Sequence, residues 1–291
     1  MASYHAPEPA VSAHMNIPRL PPDADPAEFS AALAEAGCLV VTGLLTPDDR
    51  QAVRAELARQ MASARVIESD DPTQFYPGHT RRTSGLVAHS DTVGCLVLHE
   101  RSKSLCDHFL TPNSPFGYQL HVTAALDVGP GARAQVLHRE HDSFTFFPQP
   151  RPNLILASMW AISDFRADKG ATLIVPGSHT WHAQRRARDH EIIAAEMPAG
   201  AVLYWLGGTL HGAGANVATD WRYGIVLTYS LGWLRQEENQ FLDVPPEVAQ
   251  RLPAELRDMI GYKMYRALGY SMDRSVRPDR ASDTKPQDVA S

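Results

Sequence analysis

The spacing of hydrophobic and polar positions divides the chain into a helical first third and a strand-rich middle. The segment "DPAEFSAALAEAG" predicts a helix with Asp25 as its N-cap, Pro26 at its first position and Gly37 at its end. The run "CLVVTGLL" predicts a short strand, and "TPDDRQAVRAELARQMAS" predicts a second helix that Thr46 caps. Helical spacing continues through residues 83–110.

The pattern changes near Pro112, and short apolar runs separated by Gly and Pro continue to about residue 233. Strands at such spacing are typical of a sandwich or barrel. The almost continuously apolar "LILASMWAI" predicts a strand buried on both faces. Helical spacing returns in "VPPEVAQRLPAELRDMIGYKMY". The predicted strands are "YQLHVTAALDVG", "AQVLHRE", "LILASMWAISDF", "ATLIVPGSH", "EIIAAEMPAG", "AVLYWLGG" and "YGIVLTYSLGW".

These patterns predict a mainly β fold with flanking helices, organised as a single domain over residues 23–262 with its β core at about 112–233. Residues 1–22 are rich in Pro and Ala, which predicts a flexible segment. Residues 273–291 are polar and contain Pro, which predicts a disordered tail.

Composition narrows the class of protein. The 291 residues carry a net charge of −6, which predicts no nucleic-acid partner. No apolar run reaches the length of a membrane span, and the first residues lack a signal-peptide pattern. Cys38, Cys95 and Cys106 are far apart in apolar runs, which predicts buried thiols and a cytoplasmic protein. Nothing in the composition predicts an oligomeric state.

The segment "LHREHD" holds four potential metal ligands in five positions. Side chains alternate between the two faces of a strand, so His138 and Glu140 are expected to share one face and His141 to point away. A histidine and a carboxylate at this spacing can reach one ion together. Asp142 shares the same face if the strand continues that far, and it is the rival carboxylate.

A third ligand must come from elsewhere in the chain. His211 follows a predicted strand in "YWLGGTLHGAGANVATDWR", where glycines leave room beside its imidazole. Two histidines and a carboxylate form the facial triad of non-haem Fe(II) oxygenases, which leaves positions open for a co-substrate and dioxygen. His179 is another histidine of this region, but the turn sequence "PGSH" favours a loop or capping role. Arg222, eleven residues after His211, could grip the carboxylate of an acidic co-substrate.

Five segments together resemble the phytanoyl-CoA dioxygenase family, and its secondary-metabolite branch most of all: "AGCLVVTGLLTPDD", "GARAQVLHRE", "GATLIVPGSH", "LHGAGAN" and "DWRYGIVLTYSLGWLRQEEN". The resemblance runs from about residue 27 to about 245. It implies a double-stranded β-helix, the jelly roll of cupin-like proteins. The iron ligands it implies fall on His138, Glu140 and His211. Its 2-oxoglutarate contacts fall on Arg222, Gln135 and Thr172.

The resemblance implies an enzyme that uses Fe(II), 2-oxoglutarate and O2 to oxidise a C–H bond of a small natural-product-like or amino-acid-like molecule. The outcome would be hydroxylation, desaturation or cyclisation, with release of succinate and CO2. Segments that border the pocket in this family offer Tyr76, Arg82, Trp233 and Gln236 as substrate contacts.

Glu140 departs from the family pattern, which has Asp at this position. Because Glu is one methylene longer, its carboxylate must fold back to reach the same metal position. This departure keeps one alternative open, a cupin-like protein that binds metal without catalysis. A second alternative is a zinc or nickel cupin enzyme, which could use the same three ligands without 2-oxoglutarate. Arg222 argues against a simple binding scaffold, which has no need of that residue.

Overall fold

The structure, a computed structural model, describes residues 16–68, 71, 73–148, 150–265 and 269–270. The tail predicted at 273–291 and most of the segment predicted as flexible lie outside these residues. The described chain contains ten strands: Arg19–Leu20 (β1), Cys38–Val41 (β2), Thr80–Thr83 (β3), Tyr118–Val128 (β4), Ile155–Ala161 (β5), Thr172–Ile174 (β6), Ile193–Ala194 (β7), Val202–Leu206 (β8), His211–Ala213 (β9) and Arg222–Leu231 (β10). It also contains eight α-helices: Pro26–Ala36 (α1), Pro47–Glu56 (α2), Ala58–Ser63 (α3), Asp91–Val97 (α4), Glu100–Phe109 (α5), Gln240–Asp243 (α6), Pro246–Ala249 (α7) and Ala254–Met259 (α8).

The first helix begins and ends at the residues that the sequence predicts, whereas the predicted second helix is divided at Leu57 into α2 and α3. The Asp25 carboxylate accepts a hydrogen bond of 2.7 Å from the backbone N–H of Ala27, which caps α1. Gly37 ends this helix in the left-handed region, at φ 70°. Thr46 and Asp49 form a reciprocal capping box at the start of α2. None of the helices in the described part of the chain is long and apolar enough to cross a membrane.

Two sheets form the β core. The larger has seven strands in the order β1-β2-β8-β5-β10-β4-β3, and the smaller has three in the order β7-β6-β9. All pairs are antiparallel except β1 with β2. The strands β4 and β10 pair along almost their whole length, with Arg222 opposite Val128 and Thr228 opposite Val122. This arrangement is the predicted double-stranded β-helix with flanking helices.

The central strands are buried on both faces, as predicted for β5. Leu156 and Trp160 of this strand pack in the core beneath the helices, whereas Ala157, Met159 and Ala161 pack against the smaller sheet. Every residue of β5 is buried. Two-sided burial explains why the run is apolar at every position except Ser158 instead of alternating with polar residues.

Three features differ from the sequence prediction. The sheet takes β2 and β3 from outside the predicted β core of 112–233. Arg19–Leu20, which fall in the segment predicted as flexible, form a strand beside β2. The predicted strand "AQVLHRE" is wrong: only His138 forms an isolated bridge, and a short 3₁₀ helix covers Glu140–Ser143. The turn is fixed by hydrogen bonds such as that from the His141 N–H to the Gly207 carbonyl, at 3.2 Å.

Candidate metal centre

His138, Glu140 and His211 lie together at one end of the space between the two sheets. Each offers one ligand atom, and these three atoms all lie within 4.8 Å of one another. His211 Nε2 is 3.2 Å from Glu140 Oε1. The centroids of the two imidazole rings are 4.3 Å apart. The three side chains could therefore hold one metal ion.

Backbone pairing, and not the alternation of a strand, brings these side chains together. The N–H of His138 donates to the carbonyl of His211 at 2.9 Å, and the N–H of His211 donates back at 3.0 Å. Beside this bridge, a Cβ on Gly212 would come within 3.2 Å of the Gln135 carbonyl oxygen. Glycine at 212 thus lets the segment before His138 approach β9 closely. The chain then turns at Glu140, which returns its carboxylate to His211.

Hydrogen bonds orient both imidazoles toward the site. His138 Nδ1 lies 3.0 Å from the Val136 carbonyl oxygen, and His211 Nδ1 lies 3.1 Å from the Thr209 carbonyl oxygen. Because a carbonyl can only accept, each Nδ1 carries the proton. Each Nε2 therefore keeps its lone pair for a metal. This set of two imidazoles and one carboxylate is the facial triad of non-haem iron proteins.

The protonation states also suit a metal. Burial, reinforced by the neighbouring His211, lowers the pKa of His138 to about 4. Burial opposes ionisation of Glu140, but the contact with His211 and the other nearby histidines outweigh it, so the pKa of this carboxyl falls to about 2. At neutral pH, His138 is thus neutral and Glu140 is ionised. These are the forms that bind a divalent ion.

The other candidate ligands lie outside this group. The Asp142 carboxylate faces Arg151, with Nη1 3.5 Å from Oδ1, and is half exposed. His141, as expected, is not part of the three-residue group. His179 Nε2 lies 3.1 Å from the Ala34 carbonyl oxygen, which gives this histidine a loop-fixing role.

A cavity of about 480 Å³ opens from the three ligands. It brings together most of the residues that the sequence singles out: His138, Glu140, His211, Arg222, Gln135, Thr172, Tyr76 and Arg82. Two of the predicted substrate contacts do not line it. Trp233 is 42% exposed and packs beside Phe147, at 5.9 Å between ring centroids. The side-chain N–H groups of Gln236 donate to the carbonyls of Leu120 and Ile260.

Arg222 is the first residue of β10 and is 1% exposed. Its Nε donates to the Gly170 carbonyl at 3.0 Å, and its guanidinium carbon lies 4.4 Å from the centroid of the Phe165 ring. Phe165 fits there because residue 224 is glycine: a Cβ would meet its ring at 2.7 Å. Burial lowers the pKa of Arg222 to about 10, so the side chain is still a cation at neutral pH.

Five residues that line this cavity each have a buried polar atom with no hydrogen-bond partner in the described part of the chain. The atoms are Arg222 Nη1, Arg139 Nη2, Thr172 Oγ1, Trp205 Nε1 and Thr228 Oγ1. Leaving such a group unpaired costs about 1–3 kcal/mol, so five around one cavity indicate a ligand rich in hydrogen-bond acceptors. A dicarboxylate such as 2-oxoglutarate fits this requirement. Gln135 also faces the cavity, but its Oε1 already accepts from the Ala213 N–H at 3.1 Å.

Sequence reasoning missed two members of this wall, Trp205 and Thr228. Trp205 lies on β8, and the centroid of its ring is 4.8 Å from that of His211. Ala157 of β5 pairs with Trp205 on the neighbouring strand β8 and with Thr228 on the other neighbouring strand, β10. A polar hydrogen-bonding group at an inward position of an otherwise apolar strand is the pattern that could have identified them.

Comparison with known proteins gives the family. Residues 33–224 match the family model described as Phytanoyl-CoA dioxygenase (PhyH). The chain belongs to the phytanoyl-CoA dioxygenase family. It is 30% identical over 274 residues to Dioxygenase swnH1 of Metarhizium robertsii, a match that covers 88% of this chain and 89% of that protein. It is 30% identical over 268 residues to Multifunctional dioxygenase ausE of Penicillium brasilianum, a match that covers 86% of this chain and 88% of that protein.

Solved structures show the same fold at lower identity. The α-ketoglutarate-dependent epimerase SnoN from nogalamycin biosynthesis superposes with a TM-score of 0.58 at 20% identity, covering 71% of this chain and 81% of that one. HygX from Streptomyces hygroscopicus, with nickel and 2-oxoglutarate bound, superposes with a TM-score of 0.57 at 18% identity, covering 72% of this chain and 89% of that one. As a member of this family, the protein is a 2-oxoglutarate-dependent non-haem iron dioxygenase, with Fe(II), 2-oxoglutarate and O2 as its cofactor and co-substrates.

Proposed function

We propose that the cavity is the active site, where His138, Glu140 and His211 hold Fe(II) and Arg222 holds the distal carboxylate of 2-oxoglutarate. One observation carries this assignment: the three ligand atoms lie within 4.8 Å of one another in the same cavity as the buried, unpartnered Nη1 of Arg222. A guanidinium binds a carboxylate through two parallel hydrogen bonds, and a buried site strengthens them. Thr172 adds a hydroxyl to this contact, and the Gln135 amide borders it.

When bound, iron and 2-oxoglutarate supply the activation of O2 and the decarboxylation to succinate and CO2 that oxidise a C–H bond of the substrate. The residues of the chain position these reactants. His138 and His211 present Nε2, Glu140 neutralises part of the metal charge, and Arg222 sets the direction in which the co-substrate lies. The outcome on the substrate is hydroxylation, desaturation or cyclisation.

Glu140 in the place of the family's Asp is compatible with this role. The residue starts a 3₁₀ turn instead of continuing a strand, and its Oε1 still lies 3.2 Å from His211 Nε2. The turn therefore takes up the extra methylene of the side chain.

The substrate is a small natural-product-like molecule that enters past Tyr76 and Arg82. The cavity volume supports this size, since pockets for small ligands range from about 300 to 1,000 Å³. The names of two solved relatives agree with this size class: SnoN was solved with nogalamycin RO and HygX with hygromycin B. The three cysteines are unpaired, which supports a reducing compartment, the cytoplasm.

Anaerobic titration of the protein with Fe(II) and then 2-oxoglutarate tests this proposal. Binding of both produces a weak visible charge-transfer band, and O2 then releases succinate. A protein that binds metal without the band would support a non-catalytic cupin. Metal binding without succinate release would support an enzyme independent of 2-oxoglutarate. A His138→Ala variant that consumes 2-oxoglutarate at the wild-type rate would refute the assignment of the ligands.

A further inference from the structure

Glu237 lines the cavity at the end away from Arg222. Its N–H reaches His121 of β4, whereas Arg222 lies opposite Val128, seven residues further along that strand. It also borders a smaller adjoining pocket, together with Arg82. Sequence reasoning did not select this residue, which follows the last strand in "RQEENQF".

The carboxylate of Glu237 receives no hydrogen bond from any residue in the described part of the chain. The Glu237 side chain is half exposed, and His121 Nε2 lies 3.9 Å from its Oε2. The N–H of Glu237 donates to His121 Nδ1 at 3.4 Å, so this nitrogen carries no proton and the imidazole is neutral. His121 therefore does not neutralise the carboxylate.

Arg82 is the matching cation on this wall. Its Nη1 donates to the Tyr76 hydroxyl at 2.6 Å, and its guanidinium carbon lies 4.7 Å from the centroid of that ring. These contacts hold the guanidinium at the cavity and leave its other N–H groups available. No ion pair joins Arg82 to Glu237, although both line the same cavity.

Two other charged residues of this cavity have charged partners within the protein: Asp142 with Arg151 (3.5 Å) and Arg81 with Asp127 (3.9 Å). Arg139 donates from Nε to the Gly208 carbonyl (2.9 Å), and its Nη2 is buried without a partner in the described part of the chain. Arg82 and Glu237 are the cation and the anion that line both this cavity and the adjoining pocket, and apolar side chains such as Phe75, Leu126 and Val226 line the same cavity.

We propose that this end of the cavity selects a zwitterionic amino compound, in which Glu237 accepts from the protonated nitrogen and Arg82 donates to the carboxylate. The inference rests on the proposed function, because the 2-oxoglutarate bound by Arg222 takes the other end of the cavity. Apolar walls then hold the carbon skeleton between the charged groups and the metal. The substrate class is an amino acid, or a larger molecule that carries an amine and a carboxylate close together.

Four probes that share a phenylethyl group separate the two contacts: phenylalanine, phenethylamine, 3-phenylpropanoate and 3-phenylpropanamide. Each is titrated into the full chain loaded anaerobically with Fe(II) and 2-oxoglutarate. The shift of the visible charge-transfer band on binding next to the metal gives the dissociation constant. The zwitterion is expected to bind most tightly and the neutral amide most weakly.

Charge-removing variants assign each contact to its residue. Glu237→Gln should raise the dissociation constants of phenylalanine and phenethylamine about tenfold, since a charge-assisted hydrogen bond contributes at least that factor. The dissociation constant of 3-phenylpropanoate should not change. Arg82→Gln should weaken the binding of phenylalanine and 3-phenylpropanoate but not the binding of phenethylamine. Glu247→Gln and Arg251→Gln make the same changes at exposed positions outside the cavity and should alter none of the constants.

Equal binding of the four probes, or phenethylamine binding that Glu237→Gln does not weaken, would overturn the proposal. So would the absence of phenylalanine binding at about 10 mM, because two charge-assisted contacts should reach that range. Failure of the proposed function is recognised separately: the charge-transfer band would not form before any probe is added, and both proposals would then fall.

Discussion

The backbones of His138 and His211 exchange two hydrogen bonds, of 2.9 and 3.0 Å, although 72 residues lie between them in the chain. The pair links the segment before Glu140 to strand β9, and it places the two imidazoles 4.3 Å apart. The metal centre is thus built on a bridge between two parts of the backbone, and its geometry depends on the packing of the smaller sheet.

Replacing either histidine should remove metal binding. His138→Ala or His211→Ala leaves two ligands, and we expect the affinity for Fe(II) or Ni(II) to fall at least about 100-fold, more than for loss of a supporting contact. Calorimetric titration measures this affinity. His141→Ala is the matched control, since this neighbour lies outside the group, and a comparable loss in that variant would contradict the assignment.

The two carboxylates of "HREHD" should behave differently. We expect Glu140→Ala to abolish succinate release, and Glu140→Asp to retain part of it because the facial triad accepts either acid. Asp142→Asn should keep activity within about threefold, since this carboxylate is half exposed and faces Arg151. Full activity of Glu140→Ala together with loss in Asp142→Asn would reverse the choice of ligand.

Arg222 should control the affinity for the co-substrate. Arg222→Gln removes the charge and the paired N–H donors, so we expect the KM for 2-oxoglutarate to rise about 100-fold. Metal affinity measured without 2-oxoglutarate should change little, which separates this effect from loss of the triad. Arg166→Gln, an exposed arginine paired with Asp168, is the control. An unchanged KM in the Arg222 variant would contradict the assignment.

Trp205 should contribute one hydrogen bond to the loaded site. Its buried indole N–H has no partner among the described residues, so a ligand atom is the natural acceptor. Trp205→Phe keeps the ring but removes the donor, and we expect the anaerobic dissociation constant of 2-oxoglutarate to rise about fivefold. Trp160→Phe is the matched comparison, because that indole N–H already donates to Ser158 at 3.0 Å, away from the cavity. Equal constants for wild type and Trp205→Phe would show that the N–H is not used.

Acid should destabilise the metal-free protein. Burial is the main cause that lowers the pKa of His121, His138 and His141 to about 4, below the value of about 6.5 for an exposed histidine. The unfolded chain therefore binds protons that the folded chain does not, and stability falls as the pH drops from 6.5 toward 4. We expect the Tm of chelator-treated protein to fall over this interval.

His121→Gln should make this fall shallower, because one of the three depressed histidines is removed. Substitution of His108, an exposed histidine of α5, is the comparison. A Tm that stays constant between pH 6.5 and 4.5 would contradict the burial of these imidazoles in their neutral form.

Much of the fold could be predicted from local pattern. Asp25, Gly37 and Thr46 cap helices because their side chains or backbone freedom act within a few residues, and such short-range chemistry can be read along the chain. The continuous apolar run of β5 likewise predicts burial on both faces. The strand predicted around His138 was wrong because that segment pairs with β9 through one isolated bridge instead of a continuous ladder, and an isolated bridge leaves no repeating pattern in the sequence.

The sequence by itself determined the ligand types, their spacing and the guanidinium eleven residues after His211, because each element of the chemistry needs a particular side chain. Only the tertiary structure decided which residues share the cavity. It placed Trp205, Thr228 and Glu237 on the wall and left Trp233 and Gln236 outside. The physical reason is that membership of a cavity depends on how distant strands and loops pack, and no local pattern records that packing.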